Sequence, residues 1–298
     1  MTLMAFDHAV IRVRDLDAAL RWYCDLLGLI ELARDGEVVY LGCGGDEHFD
    51  LGLRPGGVGL DHMAFSVANV AELEALHQRY SERGIACSAI ERNPEPGMAA
   101  AFRLTTPTEQ VFEVIVRDGR TSYPHTTKWN PAAAHAPLDI NHITFLANDV
   151  EMSTRFYTEQ LGFAFSDLLL PENADQPWLF SFIRVGENHH DIAIVKGSVG
   201  NKLHHVAFLV NGVSEVVRFA DRLGRYGWRI EAGVGRHGPG GNSFLYVRDP
   251  SGNRIEITAD VARLPNRFEG PRIWRGELSA VFNVWTEAPP PASFGDGT

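Results

Sequence analysis

The sequence predicts an α+β protein made of two tandem domains, each built from two β-α-β-β-β units. Three observations lead to this prediction: the second half of the chain repeats the first, each half is doubled internally, and polar capping residues separate short alternating strands from amphipathic helices. At 298 residues and 33.0 kDa, the chain is long enough for two domains of ordinary size.

The two halves match each other at several fixed spacings. The matching segments are 6–28 with 140–162, 60–67 with 203–210, and 110–115 with 253–258. His62 precedes Glu113 by 51 residues, as His205 precedes Glu256, and the second half carries nine extra residues between its first and second His. Agreement at so many positions indicates a duplication.

Each half contains two predicted helices, and a polar residue precedes each of them. These residues are Asp15, Asn69, Asp149 and Asn211. In the first helix, over residues 16–27, Asp15 is a candidate N-cap and Gly28 ends an apolar stripe. Short alternating segments with Gly and Pro between them follow each helix and are predicted to be strands.

The repeat and the composition also predict the domain boundaries. We expect a first domain over residues 1–120, non-catalytic in view of the motifs below, and a second domain over 138–265. A polar Pro/Ala-rich linker over 121–137 would join them, and a C-terminal extension and mobile tail would follow over 266–298.

A predicted hairpin over residues 237–256 places three reactive side chains at fixed separations: His237, Tyr246 and Glu256. A turn with Pro at its second position and Gly at its fourth lies between Tyr246 and Glu256. If the loop has an odd number of residues, Tyr246 and Glu256 share one sheet face, whereas a two-residue loop would separate them. A plain surface hairpin would look the same in isolation.

The second half offers two imidazoles and one carboxylate as candidate metal ligands: His142, His205 and Glu256. This set is typical of non-haem Fe(II) oxygenases, but zinc and Mn(II) accept the same ligands, so it does not name the metal. We select His205 rather than His204 because the repeat aligns His205 with His62. Any single His would more often be a core or surface residue.

The hairpin resembles the signature of the type I extradiol catechol dioxygenases, which belong to the vicinal-oxygen-chelate superfamily. The similar run extends from Gly235 through Tyr246 and the turn to Glu256. His190, 15 residues before His205, and His237, 19 residues before Glu256, also match the spacing of catechol 2,3-dioxygenases.

The resemblance implies that each pair of units forms a curved, partly closed sheet around a central site. It implies Fe(II) held by His142, His205 and Glu256, with Mn(II) as an alternative, and O2 as the co-substrate.

The resemblance also implies catalytic roles for His190, His237 and Tyr246. His237 and Tyr246 would accept or orient protons of a bound catechol, and His190 would donate a proton near the O2 position. How His237 and Tyr246 divide that work is left open.

The function expected from the resemblance is oxidative cleavage of a catechol ring beside its diol, giving a muconic semialdehyde-type product in the degradation of aromatic compounds. A glyoxalase- or epimerase-like lyase or isomerase and a non-catalytic binding protein of the same fold are the alternatives. The substrate's substituents stay open: aromatic candidates for an apolar pocket are Trp178, Phe180, Phe182, Phe244, Trp274 and Phe282, and candidates for binding a carboxylate are Arg236, Arg248 and Arg254.

The first half keeps an equivalent triad, His8, His62 and Glu113, but lacks the surrounding groups. The repeat places Arg103 at the position of Tyr246, about Pro94 at that of His237, and about Phe49 at that of His190. Because the family's first domain is usually inactive, we expect this cluster to be a vestige without a second metal.

Composition and charge narrow the remaining classes of function and location. A formal net charge of −11 argues against general nucleic-acid binding, and no apolar stretch is long enough to span a membrane. No signal peptide is recognisable, so we expect a cytoplasmic protein. The resemblance implies a small aromatic diol as substrate and a homo-oligomer.

Overall fold

The structure is a computed structural model that describes residues 3–119, 136–173, 176–197 and 202–298. The predicted linker over 121–137 therefore lies outside the described residues, apart from its last two positions. Within the described residues, no helix is long and apolar enough to cross a membrane. The predicted α+β class and the four β-α-β-β-β units are confirmed.

The first domain is an eight-stranded sheet with the order β2-β3-β4-β1-β5-β8-β7-β6. Its first unit comprises β1 (Ala5–Val13), helix α1 (Leu16–Leu20) with a π-helical continuation (Arg21–Leu27), β2 (Ile30–Asp35), β3 (Val38–Gly42) and β4 (Leu51–Pro55). Its second unit comprises β5 (Gly59–Ser66), α2 (Val70–Glu82), β6 (Glu91–Arg92), β7 (Met98–Thr105) and β8 (Val111–Arg117).

The second domain repeats this plan in a nine-stranded sheet with the order β14-β15-β16-β13-β9-β12-β11-β10-β17, in which the edge strand β17 (Arg272–Arg275) comes from the C-terminal extension. Its first unit comprises β9 (Asp139–Ala147), α3 (Val150–Arg155) with a π-helical continuation (Phe156–Leu161), β10 (Ala164–Leu170), β11 (Phe180–Arg184) and β12 (Ile192–Lys196). Its second unit comprises β13 (Lys202–Leu209), α4 (Val213–Arg225), β14 (Ile230–Arg236), β15 (Ser243–Arg248) and β16 (Arg254–Ala259).

The first strands of the two units lie side by side in the middle of each sheet. β1 pairs with β5, and β9 with β13, both antiparallel, while the last strand of each unit pairs parallel with the first strand of the same unit. Each sheet curls into a half-barrel, so side chains from these central strands point toward one interior region.

Three of the four predicted helices begin at the predicted polar cap. The Asp15 carboxylate accepts a hydrogen bond from the Ala18 backbone N–H at 2.9 Å, and Asn69 and Asp149 make the same contact at their own helices. At α4 the capping position is Gly212, with no side-chain cap, so Asn211 only precedes it.

The two domains share one apolar core. Phe65 of the first domain packs edge-to-face on Phe163 of the second, with ring centroids 5.2 Å apart. The Tyr80 hydroxyl donates to the Leu161 carbonyl at 3.1 Å across the same boundary.

The loop between β15 and β16 is also bound to the first domain. The Tyr23 hydroxyl donates to Asp249 Oδ2 at 3.0 Å, and the Arg14 backbone N–H donates to Ser251 Oγ at 2.9 Å. Asn253 donates to the Arg12 carbonyl at 3.0 Å. The hairpin's turn therefore connects the domains as well as the two strands.

Replacing Asp249 with Ala should lower the free energy of unfolding by about 3 kcal/mol, because several donors lose a charged acceptor at once. Its carboxylate accepts from Tyr23 and from the backbone N–H groups of residues 251, 252 and 253. Urea denaturation would measure the change. Asp221→Ala, at an exposed position of α4, is the matched control, and an equal effect of both substitutions would contradict the interpretation.

The C-terminal extension packs against the second domain. It contains β17 (Arg272–Arg275), which pairs parallel with β10, the helix α5 (Leu278–Phe282) and a 3-10 turn (Ala292–Gly295). Thr298 exchanges two backbone hydrogen bonds with Leu203, of 2.9 and 3.0 Å. The tail that the sequence predicts to be mobile is thus paired to β13 through its last residue.

Candidate metal centre and its cavity

The three candidate ligands of the second domain meet on neighbouring strands. His142 lies on β9, His205 on β13 and Glu256 on β16, and all three side chains are buried. His142 Nε2 lies 3.2 Å from His205 Nε2 and 3.3 Å from Glu256 Oε2, and His205 Nε2 lies 3.0 Å from the same oxygen.

These separations suit a shared metal ion. Three ligands about 2.1 Å from an octahedral metal are separated by about 3.0 Å on one face, which leaves the opposite face open. The ligand atoms bring lone pairs together, an arrangement that a cation stabilises. Burial is the main cause that lowers the pKa of His205, to about 4, so its imidazole is neutral and able to coordinate.

A β-bulge next to each candidate ligand His orients its imidazole. The residue before each His has no cross-strand partner in the pairing of the two central strands, so each His follows a β-bulge. That preceding side chain then contacts the imidazole Nδ1: Asn141 at 2.8 Å from His142, and His204 at 2.6 Å from His205. A hydrogen bond at Nδ1 directs Nε2 to the metal position.

The predicted register of the hairpin is confirmed. Arg248 pairs with Arg254 across a five-residue loop, and Tyr246 stands opposite Glu256. Burial acts to raise the pKa of the Glu256 carboxyl, yet the neighbouring imidazoles of His142 and His205 hold that pKa well below the usual range. The Asn242 amide donates to Glu256 Oε1 at 3.2 Å, which leaves Oε2 facing the imidazoles.

His190 lies beside His142, between β11 and β12. The two ring centroids are 4.1 Å apart, and burial holds the pKa of His190 well below its usual value, so the ring is neutral. His190 Nδ1 lies 2.9 Å from His189 Nδ1, and His189 Nε2 lies 3.2 Å from Asp167 Oδ2, although not in hydrogen-bond alignment. His189 therefore stands between His190 and a carboxylate.

His237 and Tyr246 form a hydrogen-bonded pair at another wall of the site. His237 Nδ1 donates to the Phe282 carbonyl at 2.6 Å, so Nε2 carries the lone pair and accepts from the Tyr246 hydroxyl at 3.0 Å. Burial lowers the pKa of His237, and burial together with Glu256 raises that of Tyr246 well above its ordinary value.

All six predicted site residues line one cavity of about 200 Å³. Its other walls are mainly apolar and include two strands of the sheet and the C-terminal extension. Aromatic and proline residues of these walls are Phe180, Phe182, Phe282, Phe294, Pro239, Pro290 and Pro291. The C-terminal extension therefore completes the cavity.

The aromatic candidates for the pocket divide into two groups. Phe180, Phe182 and Phe282 line the cavity. Trp178 packs against Phe165 in the core, Phe244 stacks on the His237 ring, and Trp274 donates to Asp167 at 2.7 Å. The cavity's apolar character comes from one half of the predicted set and from residues of the C-terminus.

The three candidate arginines are engaged elsewhere. Arg236 pairs with Asp260 at 3.0 Å, and Arg248 and Arg254 both pair with Glu231, at 3.0 and 2.9 Å. None of the described residues that line the cavity is an arginine.

Sequence reasoning missed several residues that contact the site. They are Asn141, Thr144, Asp167, His189, Asn242 and Phe294. A polar residue directly before each ligand His was a signal present in all four units, and comparison of the units at that position would have found Asn141 and the role of His204. Asp167 and Phe294 have no such signal, because their proximity arises from packing.

The first domain carries a related cluster with different surroundings. Arg103 stands opposite Glu113, as Tyr246 stands opposite Glu256, and Phe49 packs on His8 with ring centroids 4.6 Å apart, as His190 packs on His142. Both correspondences were predicted from the repeat. The additional member, Glu95, was not predicted.

Comparison with known proteins places this fold and site in a family. The family model described as the glyoxalase/bleomycin resistance protein/dioxygenase superfamily matches residues 5–114 and 139–257. The chain belongs to that superfamily, which confirms the relationship inferred from the hairpin.

Two relatives are ring-cleaving dioxygenases by name. The chain is 28% identical over 265 residues to the manganese-dependent 2,3-dihydroxybiphenyl 1,2-dioxygenase of Geobacillus genomosp. 3, covering 85% of this chain and 84% of the relative. It is 29% identical over 264 residues to the metapyrocatechase of Pseudomonas sp. strain CF600, covering 84% of each. Among solved structures, the Mn(II)-bound glyoxalase from Novosphingobium aromaticivorans is similar at a TM-score of 0.85 and 26% identity, over 98% of this chain and 94% of that one.

Proposed function

We propose that this chain is a metal-dependent extradiol dioxygenase that cleaves a catecholic ring with O2 and inserts both oxygen atoms into a muconic semialdehyde-type product. The observation that carries the proposal is the triad of His142, His205 and Glu256 facing a cavity that also holds His190, His237 and Tyr246. Relatives named for this activity support it.

In this proposal His142 Nε2, His205 Nε2 and Glu256 Oε2 hold Fe(II) or Mn(II). When bound, the metal would bring two adjacent phenolic oxygens and O2 into one coordination sphere, so that the reactants meet in a fixed orientation. The relative named as manganese-dependent is the reason to retain both metals.

His237 is the proposed acceptor of a catechol proton. Its Nδ1 donates to the Phe282 carbonyl and its Nε2 accepts from the Tyr246 hydroxyl, so a catechol proton passed to Tyr246 would move the Tyr246 proton onto Nε2. Because the pKa of Tyr246 is raised, Tyr246 stays a phenol near neutral pH and relays a proton rather than acting as the base. This assignment divides the work that the sequence left open.

His190 is the proposed proton donor on the O2 side of the cavity. If His189 Nδ1 donates to His190 Nδ1, the neutral His190 ring carries its proton on Nε2.

The cavity favours a catechol with an apolar substituent. Phenylalanine and proline side chains form its outer walls, and the arginines nearest in sequence to the hairpin are bound to Glu231 and Asp260. Lys196 also lines the cavity, but its ammonium group donates to the Asn148 carbonyl. A carboxylate on the substrate would therefore have to draw Lys196 from that contact or be buried without a cationic partner, which is costly.

Anaerobic reconstitution tests the proposal. The chain is loaded with Fe(II) or, in parallel, Mn(II), mixed with catechol, an aryl-substituted catechol or a carboxylated catechol, and then exposed to air. We expect a yellow ring-opened product near neutral pH, formed fastest from the aryl-substituted substrate. Colourless mixtures with every diol, while metal remains bound, would refute ring cleavage.

A metal-dependent lyase or isomerase is the second candidate, and the similar Mn(II)-bound glyoxalase structure is the observation that favours it. It would need a metal and a base but no O2. Conversion of a 2-oxoaldehyde adduct under strict anaerobiosis would support this candidate, whereas strict O2 dependence would exclude it.

The acid side of the pH profile should report His237. Protonation of Nε2 removes the accepting lone pair, and burial lowers the pKa of His237 below its ordinary 6.5, so kcat/KM should stay level to below pH 6.5 and then fall. His237→Asn should lower kcat/KM about 100-fold and abolish that acid limb. Tyr246→Phe should slow turnover but keep the limb, and an unchanged limb in His237→Asn would assign it to another group.

We also propose that the protein acts in the cytoplasm as a homo-oligomer on a small aromatic diol. Cell fractionation and sedimentation of the purified chain would test location and assembly.

A further inference from the structure

A second cluster of potential ligand atoms lies in the first domain. His8 on β1, His62 on β5, Glu113 on β8 and Glu95 before β7 place their ligand atoms within 4.8 Å of one another, and all four residues are buried. Glu95 makes this a four-ligand set, whereas the sequence had indicated only a triad.

Three atoms of the cluster face inward without a hydrogen-bond partner among the described residues. They are His8 Nε2, Glu95 Oε2 and Glu113 Oε2. His8 Nε2 lies 3.7 Å from Glu95 Oε2 and 3.8 Å from Glu113 Oε2, which is too far for hydrogen bonds. Buried polar atoms are rarely left without partners, so the arrangement points to a ligand at their centre.

The imidazoles are oriented as ligands. His8 Nδ1 lies 2.8 Å from Asp7 Oδ1, and His62 Nδ1 lies 3.1 Å from Asp61 Oδ2, so each Nε2 is directed into the cluster. A carboxylate on the outer nitrogen of a ligand His is a common support of metal sites. Each Asp is the bulged residue directly before its His, as in the second domain.

We propose that His8, His62, Glu95 and Glu113 form a second, structural site for a divalent transition-metal ion of the Zn²⁺ type. A tetrahedral ion about 2.1 Å from each ligand separates its ligand atoms by roughly 3.4 Å. His8 Nε2 lies 3.7 Å from Glu95 Oε2 and 3.8 Å from Glu113 Oε2, and His62 Nε2 lies 3.8 Å from Glu113 Oε2. His62 Nε2 also lies 3.2 Å from the outer oxygen of Glu95, Oε1. The site is thus slightly wider than the second-domain triad and suits four ligands rather than three.

The local charge also suits a dication. Arg103 donates to Glu113 Oε1 at 2.7 Å and to Glu95 Oε1 at 2.9 Å, so it engages the outer oxygens and leaves both Oε2 atoms free. Two carboxylates and one guanidinium leave one net negative charge when both imidazoles are neutral. The second-domain triad, with its single carboxylate, carries the same charge.

The surroundings make this site structural rather than catalytic. Four side chains fill a tetrahedral sphere, with no position open to a substrate. Phe49 and Arg103 occupy the places that His190 and Tyr246 take in the second domain, so the corresponding proton-transfer groups are replaced. The inference is independent of the ring-cleavage proposal, because either could hold without the other.

Zinc stoichiometry in a variant that lacks the second-domain ligands tests the inference. After chelation and dialysis against Zn²⁺, the wild-type chain should bind about two ions and His205→Ala/Glu256→Gln about one, by elemental analysis. When Glu95→Gln is added to the His205→Ala/Glu256→Gln chain, the bound Zn²⁺ should fall below about 0.2 ions per chain. The rise in Tm that Zn²⁺ produces should also disappear. Glu91→Gln, at an exposed position of β6, is the matched control and should keep the ion.

Co²⁺ substitution gives a readout that needs no variant. In the wild-type chain the four-ligand site should produce the strong visible absorption typical of tetrahedral Co²⁺, whereas a six-coordinate site absorbs weakly. Weak bands alone, or a His205→Ala/Glu256→Gln chain that binds no Zn²⁺, would overturn the inference and leave the cluster a vestige.

Discussion

Replacing Glu256 with Gln should abolish ring cleavage and weaken binding of the catalytic metal by more than about 100-fold. The substitution keeps the shape of the side chain but removes the triad's single negative charge. Since Oε2 is the atom shared by the contacts to His142 and His205, the neutral amide loses the best ligand at the centre of the set. Metal content by elemental analysis and turnover of the catechol panel would measure the two effects.

Glu187→Gln is the matched control for this experiment. Glu187 is an exposed carboxylate of the second domain that pairs with Arg263, so its loss should change neither metal content nor turnover. If Glu256→Gln kept both at the wild-type level, the triad would not be the metal site and the proposed function would fall with it.

Replacing His190 with Asn should lower kcat by about 10² to 10⁴-fold while the metal content stays near that of the wild type. His190 packs on a ligand imidazole but contributes no atom to the triad, and its Nδ1 contacts His189 instead. Its expected work is proton donation during the chemical step, so KM should change far less than kcat.

The surface residue His77 provides the control for His190. Its Nε2 contacts the Ser88 carbonyl in the first domain, and His77→Asn should leave kcat unchanged. Loss of metal in His190→Asn would instead assign His190 a ligand or structural role. Wild-type kcat in that variant would exclude it as the proton donor.

Much of the fold was predictable because it is periodic and duplicated. Two copies of each signal made the units recognisable, and three of the four predicted caps bind their helices as expected. The odd number of residues between Arg248 and Arg254 places Tyr246 and Glu256 on the same face of the sheet, since side chains alternate along a strand.

Other parts of the site could not be predicted because they depend on packing between distant segments. Alternation along a regular strand places Asn141 and His142 on opposite faces, and the β-bulge between them lets the first orient the second. Phe294 reaches the cavity because the C-terminal extension is bound to the second domain, through Thr298 to Leu203 and through Ser293 to Glu231. Glu95 lies in the segment before β7, and it reaches the cluster because of the path that this segment takes. The spacing of residues in the sequence does not predict that path.

The sequence by itself determined the duplicated β-α-β-β-β architecture, the two candidate ligand triads and the distinctive groups of the second half, because residue type and periodicity are local properties. Tertiary structure alone decided that the C-terminal extension closes the cavity, that His189 lies between His190 and Asp167, and that the first-domain cluster has a fourth member. The hairpin shows both: its register follows from local alternation, while its turn binds Tyr23 of the other domain, a contact across 226 residues. Such contacts depend on how completed sheets pack, and packing is a property of the whole chain.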